Sequence, residues 1–519
     1  MRPTSVVYPL LSLGLLVGCT SSDEPPTTND PPQPHEPLTL PPLDSAVLTT
    51  EATLTPVEAR RDPVDARDPR VPEERESMLA DGFGDVTSAA GEPYQVHTVD
   101  GSTPPAPGPN AKMLVRFIHL ADIQLADDES PMRLANLDNP VLGPGAFRPQ
   151  EGHGCRVANA MVRTINALHD EAPIDFVLLG GDNIDNAQSN ELSWVLGILG
   201  GSESLECDSG EDDDPSPGAG NDPKDPFASD GLSMPYYWVN GNHDVLRQGN
   251  LVIDDAGIQL ALGTEAPTGT RDWSQPGGPL AIDALPSDER RLPLFPDEVL
   301  AAVAMDGDGH GIGADQVASG RANYTFDVPG TPLRFVVIDT TADTGGDAGI
   351  IRQGTLDDFI LPALEDAQAE GKWVLLTSHH ATTSLTTDGG ALGSEQPDAV
   401  EPSVYRATIS AFDNVLFSIA GHSHVHRLNL IDAATAHRFW ELQTSAVADF
   451  PSQSRVIEIW DQDNGFVMLQ SAAFDFSTEG DETAAEGRAL GVLDFVSGWG
   501  QDGRGLIDHR NVQVWIAAP

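Results

Sequence analysis

From Ala111 onward one pattern recurs along the chain: a short apolar run that breaks off at a cluster of small, polar and imidazole-bearing residues. MLVRFIHL stops at ADIQ, FVLLG at GDNID, YYWV at NGNHD, WVLLTS at HH, and VLFSIA at GHSH. Runs of this length bounded by Gly, Asn or Asp predict buried strands, and stretches between several of them, such as RVANAMVRTINALHD, predict helices. Chains that alternate strand and helix gather the carboxyl ends of their strands along one edge, where ligands bind. The five polar clusters are therefore expected to converge.

The pattern is different before Ala111. The opening MRPTSVVYPLLSLGLLVGCTSSDEPP carries Arg2, an apolar run from Val6 to Val17, and Gly18-Cys19. That run is too short to span a bilayer and reads as a signal peptide over 1–18. Leu16-Val17-Gly18-Cys19 resembles a bacterial lipobox, which implies lipid on Cys19 and anchorage to a membrane at the extracytoplasmic face, periplasmic or cell-surface. Residues 19–110 are rich in Pro, Thr, Asp and Glu, with PPQPHEPLTLPPLD early and STPPAPGPN late. Such a composition reads as a largely disordered stalk, with a short helix near VPEERESMLADGF. Residues 111–519 are expected to form the folded body.

Charge narrows the partners. The 519 residues hold 80 acidic side chains against 28 Lys plus Arg, a formal net charge of -52. So negative a field repels nucleic-acid phosphates, and no nucleic-acid partner is expected. Part of the acidity sits in an insertion at 205–227, LECDSGEDDDPSPGAGNDPKDPF, expected to be a solvated loop without regular calcium-ligand spacing. Cys155 and Cys207 remain once Cys19 is set aside; they either pair or stay free, and the sequence does not decide which.

The clusters together offer Asp122 and Gln124; Asp182 and Asp185; Asn242, His243 and Asp244; His379 and His380; His422 and His424. Carboxylate, amide and imidazole donors without nearby thiols suit divalent metals that accept mixed oxygen and nitrogen ligands. Two such ions can bind a phosphoryl oxygen and generate a nucleophile at neutral pH.

In that order, DIQ, GDNID, GNHD, the His pair and GHSH resemble the motif series of the calcineurin-like metallophosphoesterases, over roughly residues 112 to 430. The resemblance implies an α/β fold, a four-layer α-β-β-α sandwich of two mixed sheets. It implies a metal-dependent hydrolase of phosphate esters, with a small phosphate ester as substrate. Asp122, Gln124, Asp182 and His424 would hold one ion, and Asp182, Asn242, His379 and His422 the other, Asp182 bridging. His243 would assist the leaving group, and Asp185 would orient it. His380, His310 and Asp244 are placed behind the ligands or at the rim, His310 on the Gly-rich stretch MDGDGHGIG. The family usually has D-x-H where this chain has Asp122-x-Gln124, so the first ion meets a harder oxygen donor. Mn, Fe or Mg then gains on Zn at that position. Two readings compete: a binding or scaffold lipoprotein that kept the fold with weakened catalysis, and a calcium-dependent surface protein relying on the acidic insertion.

Overall fold

The computed structural model describes residues 35–135, 138, 145–210, 216–267, 282–433 and 437–519. The expected leader, Cys19 and the first part of the stalk lie outside the described residues. Two mixed sheets carry the body. One has seven strands in the order Gln95–Thr98, Val512–Ala517, Phe466–Asp475, Gln453–Asp461, Lys112–Leu120, Phe176–Leu179, Tyr236–Tyr237, of which the last three are mutually parallel. The other has six in the order Tyr324–Asp327, Leu333–Val337, Trp373–Thr377, Val415–Ala420, Phe439–Gln443, Arg427–Ile431, the middle four parallel.

The parallel strands are continuous apolar runs because both of their faces are covered. Val415–Ala420 is buried at every position. Between the sheets, Phe117 and Phe176 of one meet Phe335 of the other edge-on at ring-centroid distances of 5.5 Å. Tyr237 lies on Phe326 at 3.7 Å. Helices close the crossovers on the outside: Gly154–Glu171 joins the first two parallel strands of the larger sheet, and Leu361–Ala369 and Pro402–Ile409 serve the smaller. The expected sandwich of two mixed sheets is what the chain forms.

The stalk expectation fails over 35–110. Gln95–Thr98 is a strand parallel to Val512–Ala517, and Ala52–Pro56 pairs with Val86–Ala90. Met78, on the helix Pro72–Ala80, and Phe83 are buried with Phe450, Val492 and Phe495. Thr49 N–H donates to Ala473 O at 2.9 Å, and Arg61 N–H to Val496 O at 2.8 Å. The composition denies this segment local order, but its backbone finds partners hundreds of residues away, which local pattern does not register.

The acidic insertion is also less solvated than expected. Cys155 and Cys207 are disulfide-bonded, tying its start to the helix Gly154–Glu171. Phe227, Asp222 and Asp225 are buried, and Lys224 Nζ reaches Asp128 at 2.9 Å and Glu129 at 3.2 Å. A buried lysine thus meets the carboxylates of the loop after Gln124. Among the described residues no helix is long and apolar enough to cross a membrane.

Candidate metal centre

Each cluster sits where a parallel strand ends. Asp122 and Gln124 follow Lys112–Leu120, Asp182 and Asp185 follow Phe176–Leu179, and Asn242 and His243 follow Tyr236–Tyr237. From the other sheet, His379 follows Trp373–Thr377, while His422 and His424 follow Val415–Ala420. Parallel neighbours end on the same side, so the loops of both sheets meet at one edge. Asp122, Gln124, Asp182, His422 and His424 all have left-handed backbones, with φ of 52, 41, 52, 66 and 55°. That conformation costs roughly 1–3 kcal/mol per non-glycine residue and persists only where neighbours enforce it. Here Gln124 N–H donates to Asp182 O at 2.8 Å within one sheet's loops, and His422 N–H donates to Asp122 Oδ1 at 3.0 Å, linking loops across the sheets.

Asp182 is the hub. Its Oδ2 lies 3.1 Å from His379 Nε2, and its Oδ1 accepts the His243 N–H at 2.8 Å. Donor atoms of Asp122, Asp182 and His379 lie within 4.8 Å of one another, as do those of His379, His380 and His422. The donor set fits a cation on an observation of its own. Asn242 Oδ1 is buried with no hydrogen-bond partner among the described residues. Groups of this kind are ordinarily satisfied.

His380 is differently placed. Its Nδ1 accepts from Thr340 Oγ1 at 2.8 Å and its Nε2 donates to Asp347 O at 2.9 Å, so both ring nitrogens are used and it backs His379 from behind.

The electrostatics follow from crowded, buried charges. Burial pulls the His379 imidazole down, but Asp182 beside it more than reverses this and lifts it to about 9. Burial likewise opposes charge on His424, and Asp122 and Asp449 raise it to about 10. Burial and the neighbouring His380 and His379 push His422 well below its ordinary value. Asp182, despite a burial that disfavours its charge, is held far below the usual carboxylate range by His379 and His243. Protons therefore occupy His379 and His424 where an incoming cation would displace them. His243 Nδ1 contacts Asp185 Oδ1 at 2.9 Å, and Asp182 together with Asp185 holds this imidazole above its ordinary value against burial.

Asp244 is not at the centre. Its carboxylate accepts from the backbone of Gly241, Asn183 and Ile184 and from the Asn183 side chain, stapling the GDN loop to the GNHD loop. His310 stacks on Tyr236 at 3.6 Å, its ring facing Asp306 and Asp308, and it does not line the cavity in front of the centre. The Gly-rich loop folds back on its own carboxylates instead of reaching forward.

That cavity has a volume of about 380 Å³, and Asp182, His243, His422 and His424 line it. It is within the size range of small-molecule sites.

Among the wall residues that the sequence reading did not single out are Arg148 and Asp449. Arg148 Nη2 donates to Gln124 Oε1 at 2.7 Å and Nε to Asp449 Oδ1 at 2.6 Å, while Asp449 Oδ2 meets His424 Nδ1 at 2.5 Å. The Gln124 amide nitrogen faces Asp182 Oδ2 at 3.4 Å. Gln124 is thus an expected ligand whose single side-chain oxygen is already engaged by a guanidinium. Neither residue lies in a periodic element. The only sequence signal was the run of TSAVADFPSQSR directly after an apolar stretch.

A family model described as calcineurin-like phosphoesterase matches residues 115–426. Among solved structures, the chain is similar to a dimetal phosphatase from Danio rerio, at 12% identity and a TM-score of 0.38, covering 70% of this chain and 100% of that one. It is also similar to a purple acid phosphatase from yellow lupin (Lupinus luteus) seeds, at 13% identity and a TM-score of 0.28, covering 75% of this chain and 54% of that one. The chain thus spans about half the lupin enzyme's length. No curated protein gives a significant match.

Proposed function

The chain belongs to the calcineurin-like phosphoesterase family, and from that premise we propose that it hydrolyses small phosphate esters with two divalent cations at an extracytoplasmic membrane surface. The observation that carries the reading is the convergence of five strand-end clusters from two sheets on Asp182. Asp122, Asp182 and His424, with Gln124 beside them, would hold one cation; Asp182, Asn242, His379 and His422 would hold the other. Bound there, the ions supply a nucleophilic water at neutral pH and offset charge on the phosphoryl oxygens.

The chain's own residues do the rest. Asp182 can serve both positions because its Oδ2 lies between them, 3.1 Å from His379 Nε2 and 3.4 Å from the Gln124 amide, while Oδ1 accepts the His243 N–H. His243, at the cavity wall, can donate its Nε2 proton to the departing ester oxygen while Asp185 stabilises the imidazolium at Nδ1. Leu134 and Ala146 line the same cavity and limit what can stand before the centre.

The disulfide supports an oxidising compartment, since such bonds rarely persist in the cytosol. Leu16-Val17-Gly18-Cys19 supports a lipid anchor. A second reading, fold retained with catalysis weakened, has one observation in its favour, the engagement of Gln124 Oε1 by Arg148. One experiment decides between them. Purified protein loaded with Mn, Fe, Mg or Zn is assayed on p-nitrophenyl phosphate and bis-p-nitrophenyl phosphate beside Asp182→Asn and His379→Ala. Turnover of either ester that both substitutions abolish is expected. Absence of turnover with every metal, or a rate the substitutions leave unchanged, overturns the enzymatic reading.

A further inference from the structure

Resting on the two-cation reading, we propose that Arg148 and Asp449 are positioning residues that set the affinity of one cation position, the one served by Asp122, Asp182 and His424. The geometry is a chain of three contacts. Asp449 takes the Nδ1 side of His424 at 2.5 Å, which leaves Nε2 to face Asp122 Oδ1 at 3.3 Å. The other Asp449 oxygen accepts Arg148 Nε at 2.6 Å. The same guanidinium donates Nη2 to Gln124 Oε1 at 2.7 Å.

A carboxylate on the far nitrogen of a ligating imidazole fixes its tautomer and ring angle and raises its basicity. A guanidinium only donates, so the Gln124 atom facing it is the oxygen, and the amide cannot flip without losing that bond. One planar fork therefore orients two of the residues around one cation position. Arg148 is itself held from behind: its side chain is 5% exposed, Glu151 Oε1 lies 3.7 Å from Nη1, and Glu151 also pairs with Arg133. The other position, formed by Asn242, His379 and His422, has no contact with this fork. Its imidazole His379 is oriented by Gly180 O at 2.8 Å. The two positions should therefore respond differently to the same substitution.

The test is metal content and affinity measured on the full chain with Mn²⁺ as the probe. Wild type, Asp449→Asn, Arg148→Met and Arg148→Lys are equilibrated at fixed free Mn²⁺ and analysed for bound ions. Each substitution is expected to reduce bound ions from two per chain to one and to weaken that position about 10- to 100-fold, the usual cost of losing such an outer partner. Arg148→Lys should behave like Arg148→Met, because a single ammonium cannot span Asp449 and Gln124 together.

Removing one partner unbalances the charge of a buried pair, so the double variant Arg148→Met/Asp449→Leu removes both charges at once. It should keep the wild-type circular-dichroism spectrum when metal-free and still lose the one ion. Wild type that fails to bind two ions would count against the two-cation reading. Wild type with two ions and variants that keep both at unchanged affinity would overturn this inference alone. So would Arg148→Lys with full affinity, or variants that keep both ions and only raise KM, which would move Arg148 to the substrate.

Discussion

Asp185→Asn isolates the proton-donor half of the proposed chemistry. The contact between His243 Nδ1 and Asp185 Oδ1 is 2.9 Å with the carboxylate fully buried, and Asp185 O also lies 3.0 Å from the same nitrogen. The substitution keeps shape and the backbone acceptor and removes only the charge. A buried charged hydrogen bond contributes roughly 1.5–3 kcal/mol, which at about 1.4 kcal/mol per tenfold is a 10- to 150-fold effect on whatever step needs the imidazolium. When the P–O bond of an alkyl phosphate breaks, its alcohol leaves as a strongly basic alkoxide and needs that proton; p-nitrophenolate does not. The expectation is a roughly 10- to 150-fold fall in kcat/KM for the alkyl ester and a much smaller one for p-nitrophenyl phosphate. The alkaline limb of the pH profile should also move down, because Asp185 is one of the groups that hold this imidazole above its ordinary value. Equal losses on both substrates, or an unmoved limb, would show that His243 does not donate the proton.

Three further outcomes follow from the same geometry. In metal-free protein, His379 and His424 are raised to about 9 and about 10 in the folded state, so their contribution to stability is fully present below about 6.5 and is lost as pH rises through those values. Chelator-treated protein should therefore melt lower at pH 10 than at pH 6.5, and saturating Mn²⁺ should oppose that trend because it binds the deprotonated ligands; a flat metal-free profile would contradict the assignment. Breaking Cys155–Cys207, which are 52 residues apart, should cost up to about 4 kcal/mol by loop entropy while leaving kcat within about twofold, checked by denaturant melts with and without reductant. Gly249→Ala puts a Cβ 2.3 Å from Asn242 Nδ2 and from His243 Cδ2 at a backbone φ of +63°. A shift of about 1 Å in those side chains should reduce kcat about 100-fold, and wild-type kinetics would refute the contact.

The strands that carry the site were legible because their ends are chemically marked. MLVRFIHL could stop anywhere, but stopping at Asp122 and doing likewise at four other apolar runs is a pattern with a geometric consequence. The family resemblance then gave roles that periodicity could not. The preference for His379 over His380 as the ligand rests on hydrogen bonds that no sequence displays, with Thr340 and Asp347 filling both nitrogens of His380. Arg148 and Asp449 were illegible for a related reason: a residue that acts on a ligand's far side needs no fixed spacing from it. The same blindness to long-range partners made residues 35–110 read as a stalk. Gln95–Thr98 is a strand only because Val512–Ala517 is there to receive it.

The centre draws Asp122, Asp182 and Asn242 from one sheet and His379, His422 and His424 from the other. Ions seated there would rivet the two slabs of the sandwich, and the gap between them would become an adjustable dimension of the catalyst. Sliding one slab by a fraction of an ångström would alter the cation spacing before any ligand was exchanged. Core packing far from the cavity, such as Phe117 against Phe335, would therefore be felt first as a change in turnover and only later as a change in melting temperature.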